Sequence, residues 1–116
     1  MTGRVSYLAG LAAEDSVLRG YEREGYEVVA KRWRGSGGEI DLVLRKQDGF
    51  VFVEVKRARD LARAACRLTQ AQLARICQTA CEYLGGVPGG GLMDMRFDLA
   101  MVDATGRMAR YQNITM

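Results

Sequence analysis

Residues 38–56 show the clearest alternation of apolar and polar positions in the chain. Two short segments carry an apolar residue at every second position, and turn-forming residues at 47–49 lie between them. A period of two, interrupted by the pair Asp48-Gly49, is typical of a β-hairpin. The pattern therefore predicts two antiparallel strands, whose alternating apolar residues are Ile40, Leu42 and Leu44, then Val51, Val53 and Val55.

Helical periodicity flanks this hairpin on both sides. Apolar residues recur at helical spacing over residues 6–25, and a shorter helical segment is predicted over residues 60–67. Thr69 and Gln72 have the spacing of a capping box, which predicts a further helix ending at Gly85. The first helix is expected to present an apolar stripe of Leu8, Leu11, Ala12, Val17, Leu18 and Tyr21.

The remaining segments complete an α/β arrangement. Val28 and Ala30 are expected on one side of the first strand, and Gly35 to Gly38 form a flexible connection into the hairpin. The element order is then αβββαβ with a closing strand, which predicts one domain over residues 1–116 with a mixed central sheet flanked by helices. The predicted strands outside the hairpin span residues 26–34, 96–103 and 108–114.

Composition narrows the class of protein. No apolar run reaches the ~18 residues of a membrane span, and the N-terminus lacks the pattern of a signal peptide. The three cysteines are an odd number, which favours reduced thiols and a cytoplasmic location. The formal charge of +3 is small, but the segment from Lys56 to Arg75 contains six basic residues and only one acidic residue. Such a local excess suits either a phosphate backbone or a solvated helix face.

Two acidic residues interrupt the apolar hairpin strands. Asp41 and Glu54 occupy positions where a carboxylate is costly unless it is paired or coordinates a metal. Glu54 and Lys56 share a strand face because they are two residues apart. A four-residue loop would pair Asp41 with Glu54, and a two-residue loop would pair Asp41 with Lys56. A three-residue loop would instead put Asp41 on the opposite face of the sheet, unless a bulge intervenes. Two adjacent carboxylates favour a hard cation, Mg²⁺ (or Mn²⁺) more than Ca²⁺.

These motifs resemble a known superfamily. Asp41 followed by Glu54-Val55-Lys56 is similar to the D…E-x-K signature of the PD-(D/E)XK nucleases, which have a restriction-endonuclease-like fold. The segments GEIDLV, VFVEVKRAR and RFDLAMVD more closely resemble the YraN family of bacterial proteins, which are described as predicted nucleases related to archaeal Holliday-junction resolvases. The resemblance runs from about Leu8 to Asp103.

The resemblance implies roles for individual residues. Asp41, Glu54 and the Val55 carbonyl would hold Mg²⁺, and Lys56 would orient the attacking water or stabilise developing negative charge. Glu14 matches a helix glutamate that approaches the metal in related nucleases, although an exposed or salt-bridged glutamate is the alternative.

Two further positions depart from the resemblance or leave their role open. Gln72 stands where the family has lysine, so it would orient substrate or water, or act only as a helix cap. Asp98 matches the RFD motif, and a structural role, or one that supports the metal ligands from behind, is favoured for it over metal binding.

Basic residues near the hairpin are candidates for nucleic-acid contacts. Lys31, Arg32 and Arg34 surround Trp33, an arrangement that binds phosphates and stacks bases unless Trp33 belongs to the core. The family has asparagine at position 32, so that residue's contact is not carried over. Arg57 and Arg59 follow the hairpin directly and are further candidates.

The chain contains no histidine, which excludes a Ser-His-Asp triad and leaves metal-dependent chemistry for an enzyme. The predicted function is a metal-dependent endonuclease acting on nucleic acid, with DNA favoured over RNA and branched DNA as a candidate substrate. The alternatives are a DNA- or RNA-binding module without activity, and a structural salt-bridge cluster at Lys56. The resolvase resemblance also implies a homodimer, because two symmetric strands need two sites.

Overall fold

The computed structural model describes residues 3–47 and 49–115. Five strands and three α-helices follow one another along the chain, with a short 3₁₀ turn before the fourth strand. In chain order they are α1 (Gly3–Arg23), β1 (Glu27–Arg34), β2 (Glu39–Lys46), β3 (Gly49–Arg57), α2 (Leu61–Cys66), α3 (Gln70–Gly85), the 3₁₀ turn (Gly90–Leu92), β4 (Asp94–Val102) and β5 (Met108–Tyr111).

The strands form one mixed sheet in the order β1-β2-β3-β4-β5. β1, β2 and β3 are successively antiparallel, β3 and β4 are parallel, and β5 returns antiparallel to β4. A parallel pair needs a long crossover, which α2 and α3 supply here. The fold class predicted from the sequence is confirmed, and the five-stranded sheet is compatible with a restriction-endonuclease-like core. Within the described ranges no helix has the length and apolar character required to cross a membrane.

The sheet buries both of its faces. α1 covers one face with Val17, Leu18 and Tyr21, which pack on alternate residues of β2, β3 and β4. α3 covers the other face with Ile76, Ala80 and Leu84, which pack on Phe50, Phe52 and Phe97 among others. The predicted capping box of α3 is confirmed: the Thr69 side chain accepts from the Gln72 N–H at 3.1 Å, and the Gln72 side chain accepts from the Thr69 N–H at 3.3 Å. The predicted α1 stripe was wrong at two positions, because Leu8 and Ala12 are exposed and Ala13 is buried instead.

The predicted hairpin is confirmed, and its register is the one that brings Asp41 level with Glu54. That register was expected with a four-residue loop, which was wrong, because the ladder continues to the Lys46–Gly49 pair and leaves only two residues between the strands. Leu42 pairs with Val53 at one end of the ladder and Lys46 pairs with Gly49 at the other, so the next positions outward are Asp41 and Glu54. Gln47 turns the chain with a φ of 55°. The predicted turn residue Asp48 lies outside the described residues.

Strand alternation fails at two places that sequence periodicity does not reveal. Leu42 and Leu44 pack with α1, whereas Ile40 packs with α3, so the alternation breaks at Asp41. The expectation that Val28 and Ala30 share a side was wrong, because the register of β1 shifts between them and they join opposite faces of the core. Bulges of this kind occur beside active sites, where they redirect a side chain.

Asp98 is a buried acidic residue that forms hydrogen bonds with α1, with β4 and with the chain after β5. It lies on β4, is 1% exposed, and accepts hydrogen bonds from the Tyr21 hydroxyl at 2.7 Å and from the Asn113 main chain at 3.0 Å. Arg96 donates to both of its oxygens, each at 2.9 Å. These partners satisfy the carboxylate, which supports the structural role that the sequence favoured for Asp98.

Asp98→Asn is expected to lower the free energy of unfolding by about 3 kcal/mol, because it leaves the Arg96 guanidinium without its charge partner in a largely buried setting. Urea denaturation of the metal-free protein measures the change. Asp94→Asn is the matched control, because Asp94 is exposed at the start of the same strand. Equal stability of the two variants would show that the buried cluster contributes little.

Candidate active site

The candidate site lies where β2 and β3 separate. The ladder between these strands ends at the Leu42–Val53 pair, and Asp41 Oδ2 accepts the next main-chain hydrogen bond, from the Val55 N–H, at 2.7 Å. A carboxylate thus replaces a main-chain acceptor at the end of the ladder. This bond fixes Asp41 against β3, directly beside Glu54.

Glu54 and Lys56 form an ion pair on the same strand face, as their spacing predicted. Lys56 Nζ lies 3.3 Å from Glu54 Oε2, and the two side chains are 18% and 13% exposed. The other oxygen, Glu54 Oε1, is buried and has no hydrogen-bond donor among the described residues. Buried carboxylate oxygens without a partner are rare in folded proteins and often mark the place of an ion or a functional group.

Asp41 and Glu54 disfavour each other's ionised form. Burial and the neighbouring Glu54 carboxylate raise the pKa of Asp41 from its usual 3.8 to about 8, although the Val55 N–H and Lys56 act in the opposite direction. A pair of carboxylates in this setting holds a proton or a cation between them. Close to neutral pH, a bound cation would displace that proton.

This pKa predicts how stability depends on pH in the absence of metal. The folded chain binds the Asp41 proton more tightly than the unfolded chain, so the resulting stabilisation is complete below about pH 4 and is lost as the pH rises to about 8. Across that window, wild type should lose roughly 1–3 kcal/mol of unfolding free energy relative to Asp41→Asn. Urea denaturation in EDTA at several pH values tests this, and a difference that grows in the other direction would contradict it. Asp94→Asn controls for the removal of one surface carboxylate.

Glu14 reaches the same site from α1. Burial and the nearby charge of Asp41 raise the pKa of Glu14, although its hydrogen bond with Arg32 acts in the opposite direction. Arg32 Nη1 donates to Glu14 Oε1 at 2.6 Å, and Arg32 adopts a left-handed conformation with φ of 48°. Arg32 was expected to contact nucleic acid and Glu14 to approach the metal. In the structure these two side chains form an ion pair with each other.

The other predicted nucleic-acid contacts are placed differently. Arg34 is exposed and donates to Glu39 at 3.1 Å. Arg57 is half-buried on β3 and Arg59 is exposed just after it, and neither forms an ion pair with any residue that the structure describes. Trp33 packs edge-on against Tyr83 with ring centroids 5.2 Å apart, which agrees with the core alternative rather than with base stacking.

Gln72 is a helix cap and also lies beside the candidate site. Its side-chain oxygen closes the α3 capping box, and its side chain also lines a pocket of about 150 Å³ beside Glu54. The other lining residues come from the glycine-rich loop, from the first residue of β2 and from α3: Gly37, Gly38, Glu39, Arg75, Ile76 and Thr79.

Sequence reasoning missed the role of Glu82 in this region. The Ser36 N–H donates to both Glu82 oxygens at 3.1 and 3.2 Å, and the Ser36 hydroxyl donates to Oε2 at 2.7 Å. The loop expected to be a flexible connection is thus fixed to α3. Arg75 was also missed as a lining residue of the pocket. Its spacing of three residues from Gln72 on a predicted helix, which places both side chains on one face, could have indicated it.

The donor set fits a hard divalent cation. Among residues 3–47 and 49–115 no group of three or more His, Cys, Asp or Glu side chains is arranged to hold a metal. The site instead offers two adjacent carboxylates, one of them with an unpartnered oxygen. Mg²⁺ suits such a sparse oxygen set, because it keeps several of its waters and takes further ligands from phosphate.

Comparison with known proteins places this geometry in a wider group. The profile of the uncharacterised protein family UPF0102 matches residues 13–102, which include every predicted metal ligand. The chain is 54% identical over 111 residues to a UPF0102 protein of Ruegeria pomeroyi, covering 96% of this chain and 90% of that protein. A Roseobacter denitrificans relative is 52% identical over 111 residues (96% and 86% coverage), and one from Dinoroseobacter shibae is 49% identical over 114 residues (98% and 85%). The names of these relatives state the family and no activity.

Proposed function

The chain belongs to the uncharacterised protein family UPF0102, and we propose that it is a metal-dependent nuclease that hydrolyses phosphodiester bonds. The observation that carries the proposal is the contact between Asp41 and Glu54 at the end of the β2–β3 ladder. One oxygen of Glu54 lacks a donor, and the pKa of Asp41 is raised to about 8. Such an arrangement costs stability in a metal-free protein, and a bound cation would offset that cost.

A purely structural salt bridge explains the site less well. Lys56 bonds one oxygen of Glu54 and leaves the other without a partner. The ammonium also fails to bring the pKa of Asp41 back to its usual range. A cluster selected only for stability would satisfy these groups or replace them with apolar residues, which are often equally stable.

Each side chain then has a specific task. Asp41, Glu54 and the Val55 carbonyl would hold Mg²⁺ or Mn²⁺, with Glu14 beside them. When bound, the cation supplies polarisation of the scissile phosphate and a lower pKa for the attacking water. Lys56 donates hydrogen bonds to the water or to the oxygen on which negative charge develops. The Gln72 amide orients the substrate from α3 without adding a charge.

The partners follow from this chemistry. Nucleic acid is the proposed substrate, with DNA preferred to RNA and branched DNA the candidate that the family resemblance suggests. The cytoplasm is the proposed location, and a homodimer is required if both strands of a junction are cut. Light scattering of the protein alone and bound to four-way DNA tests the dimer, and a strict monomer in both samples would contradict it.

The deciding experiment combines metal binding with cleavage. Wild type and the double variant Asp41→Asn/Glu54→Gln are titrated with Mg²⁺ and Mn²⁺ by calorimetry and then incubated with labelled linear, single-stranded and four-way DNA and with RNA. Metal binding and cleavage that disappear together in the variant would support the nuclease and rank its substrates. Metal binding without cleavage would favour a nucleic-acid-binding module, and absence of specific metal binding would overturn the proposal.

A further inference from the structure

The pocket that Glu54 lines is a second feature of this region, next to the carboxylate pair. It measures about 150 Å³ and lies between the loop residues Gly37 and Gly38 on one side and the α3 residues Gln72 and Arg75 on the other. Glu54 lines the pocket whereas Asp41 and Lys56 do not, so the pocket adjoins the candidate metal site and shares one carboxylate with it.

The charges around the pocket favour an anion. Glu39 is paired with Arg34, and Lys56 pairs with one oxygen of Glu54, whose other oxygen has no partner among the described residues. Arg75 is exposed and makes no ion pair within the described ranges. The Gln72 oxygen is used by the helix cap, so its NH₂ group is the part that remains to donate. Arg75 and the Gln72 amide are thus the donor-bearing residues of the lining, and the unpartnered oxygen of Glu54 is the one that the proposed cation would take.

The wall of the pocket is held in place before any ligand binds. Glu82 fixes Ser36 through three hydrogen bonds. Gly37 lies so close to α3 that an added Cβ would meet Thr79 Oγ1 at 3.0 Å and the Arg75 carbonyl at 3.6 Å. The close approach of loop and helix keeps the pocket narrow, and binding would need little ordering of the chain.

The size of the pocket limits what it accepts. Pockets for whole small molecules occupy roughly 300–1,000 Å³, so this pocket is suited to a compact group instead of an entire nucleotide. We propose that it is a subsite for one backbone phosphate of the nucleic acid, next to the phosphate that is cut, and that Arg75 is the residue that binds it. The inference rests on the proposed function and names a substrate contact for it. Arginine suits this role because its planar fork matches two phosphate oxygens.

The test uses binding, so that it does not depend on catalysis. Short DNA duplexes and single strands that each carry one neutral methylphosphonate linkage, moved stepwise along the strand, are bound to the full-length protein in EDTA. Wild type, Arg75→Ala and Arg75→Lys are compared by fluorescence anisotropy. Arg67→Ala is the matched control, because Arg67 is exposed in the same basic segment and does not line the pocket.

Arg75→Ala is expected to weaken binding of unmodified DNA about fivefold or more and to reduce the salt slope by about one. Arg75→Lys should retain most of the affinity. One methylphosphonate position should weaken wild type and Arg67→Ala but leave Arg75→Ala unaffected, because the contact is already absent. Circular dichroism confirms that the variant folds, as alanine favours an exposed helix position.

The outcomes separate this inference from the proposed function. Arg75→Ala with wild-type affinity, or with wild-type sensitivity at every methylphosphonate position, overturns the phosphate subsite even if the protein cleaves DNA. A wild type that shows the Arg75 coupling but cleaves nothing with Mg²⁺ or Mn²⁺ overturns the nuclease and supports the subsite. A wild type that binds no nucleic acid overturns both.

Discussion

Replacing Glu54 by Gln is expected to abolish cleavage while making the metal-free protein more stable. The substitution removes one of two adjacent carboxylates and supplies an NH₂ group that can donate to Asp41. Loss of a metal ligand should reduce kcat/KM by about 10³-fold or more, equivalent to ~4 kcal/mol of transition-state stabilisation. Relief of the carboxylate repulsion should raise the unfolding free energy at pH 8 by about 1–2 kcal/mol, as is common when strain at a functional site is removed.

Activity is expected to fall while stability rises, and this combination distinguishes a metal ligand from a residue that only supports the fold. Cleavage assays with Mg²⁺ and urea denaturation in EDTA measure the two effects on the same preparation. Glu27→Gln is the matched control, since Glu27 is an exposed strand residue on β1 with the same change in charge and shape. A Glu54→Gln protein that is both inactive and less stable would indicate that Glu54 supports the fold, because a purely structural ion pair loses stability when one partner is neutralised.

Replacing Lys56 by Met is expected to lower kcat by about 10²–10³-fold with little change in KM, because its ammonium would act on charge that develops in the transition state. Methionine keeps the length of the side chain and removes only the donor. Metal affinity should rise several-fold in the same variant, since Glu54 Oε2 no longer shares its charge with Nζ at 3.3 Å. Single-turnover cleavage separates kcat from binding, and calorimetry measures the metal.

Lys31→Met serves as the control for the loss of one lysine. Lys31 is partly exposed on β1, 3.9 Å from Asp15, and its replacement should affect DNA affinity more than kcat. Lys56→Met with wild-type kcat and lower stability would restrict Lys56 to a salt bridge. A Lys56→Arg protein with partial activity would show that a positive donor is required and that its shape also matters.

Local sequence determined the part of the site that lies on one hairpin. The alternation of apolar residues in β2 and β3 is set by the two-residue repeat of a strand, which requires no knowledge of other elements. The same repeat placed Glu54 and Lys56 on one face. The capping box at Thr69 and Gln72 is similarly local, because both hydrogen bonds join residues three apart.

The tertiary structure decided which distant groups meet the hairpin. The pairing of Glu14 with Arg32 joins α1 to β1 and depends on the register shift between Val28 and Ala30 and on the left-handed Arg32, neither of which leaves a periodic signal. The residues around Asp98 come from α1, β4 and the chain after β5, so their meeting depends on how the helix packs on the sheet.

The pocket that Arg75 lines also could not be predicted from local sequence. It exists because Glu82 holds the glycine-rich loop against α3, and these segments are more than 30 residues apart along the chain. The sequence by itself thus determined the fold class, the hairpin and the shared face of Glu54 and Lys56, because strand periodicity acts over a few residues. It left the position of Asp41 open, because the loop lengths it allowed put Asp41 on either face, and the observed register decided between them. Only the tertiary structure decided which of the described arginines are paired with carboxylates and which are not, because those contacts depend on packing between elements remote in sequence.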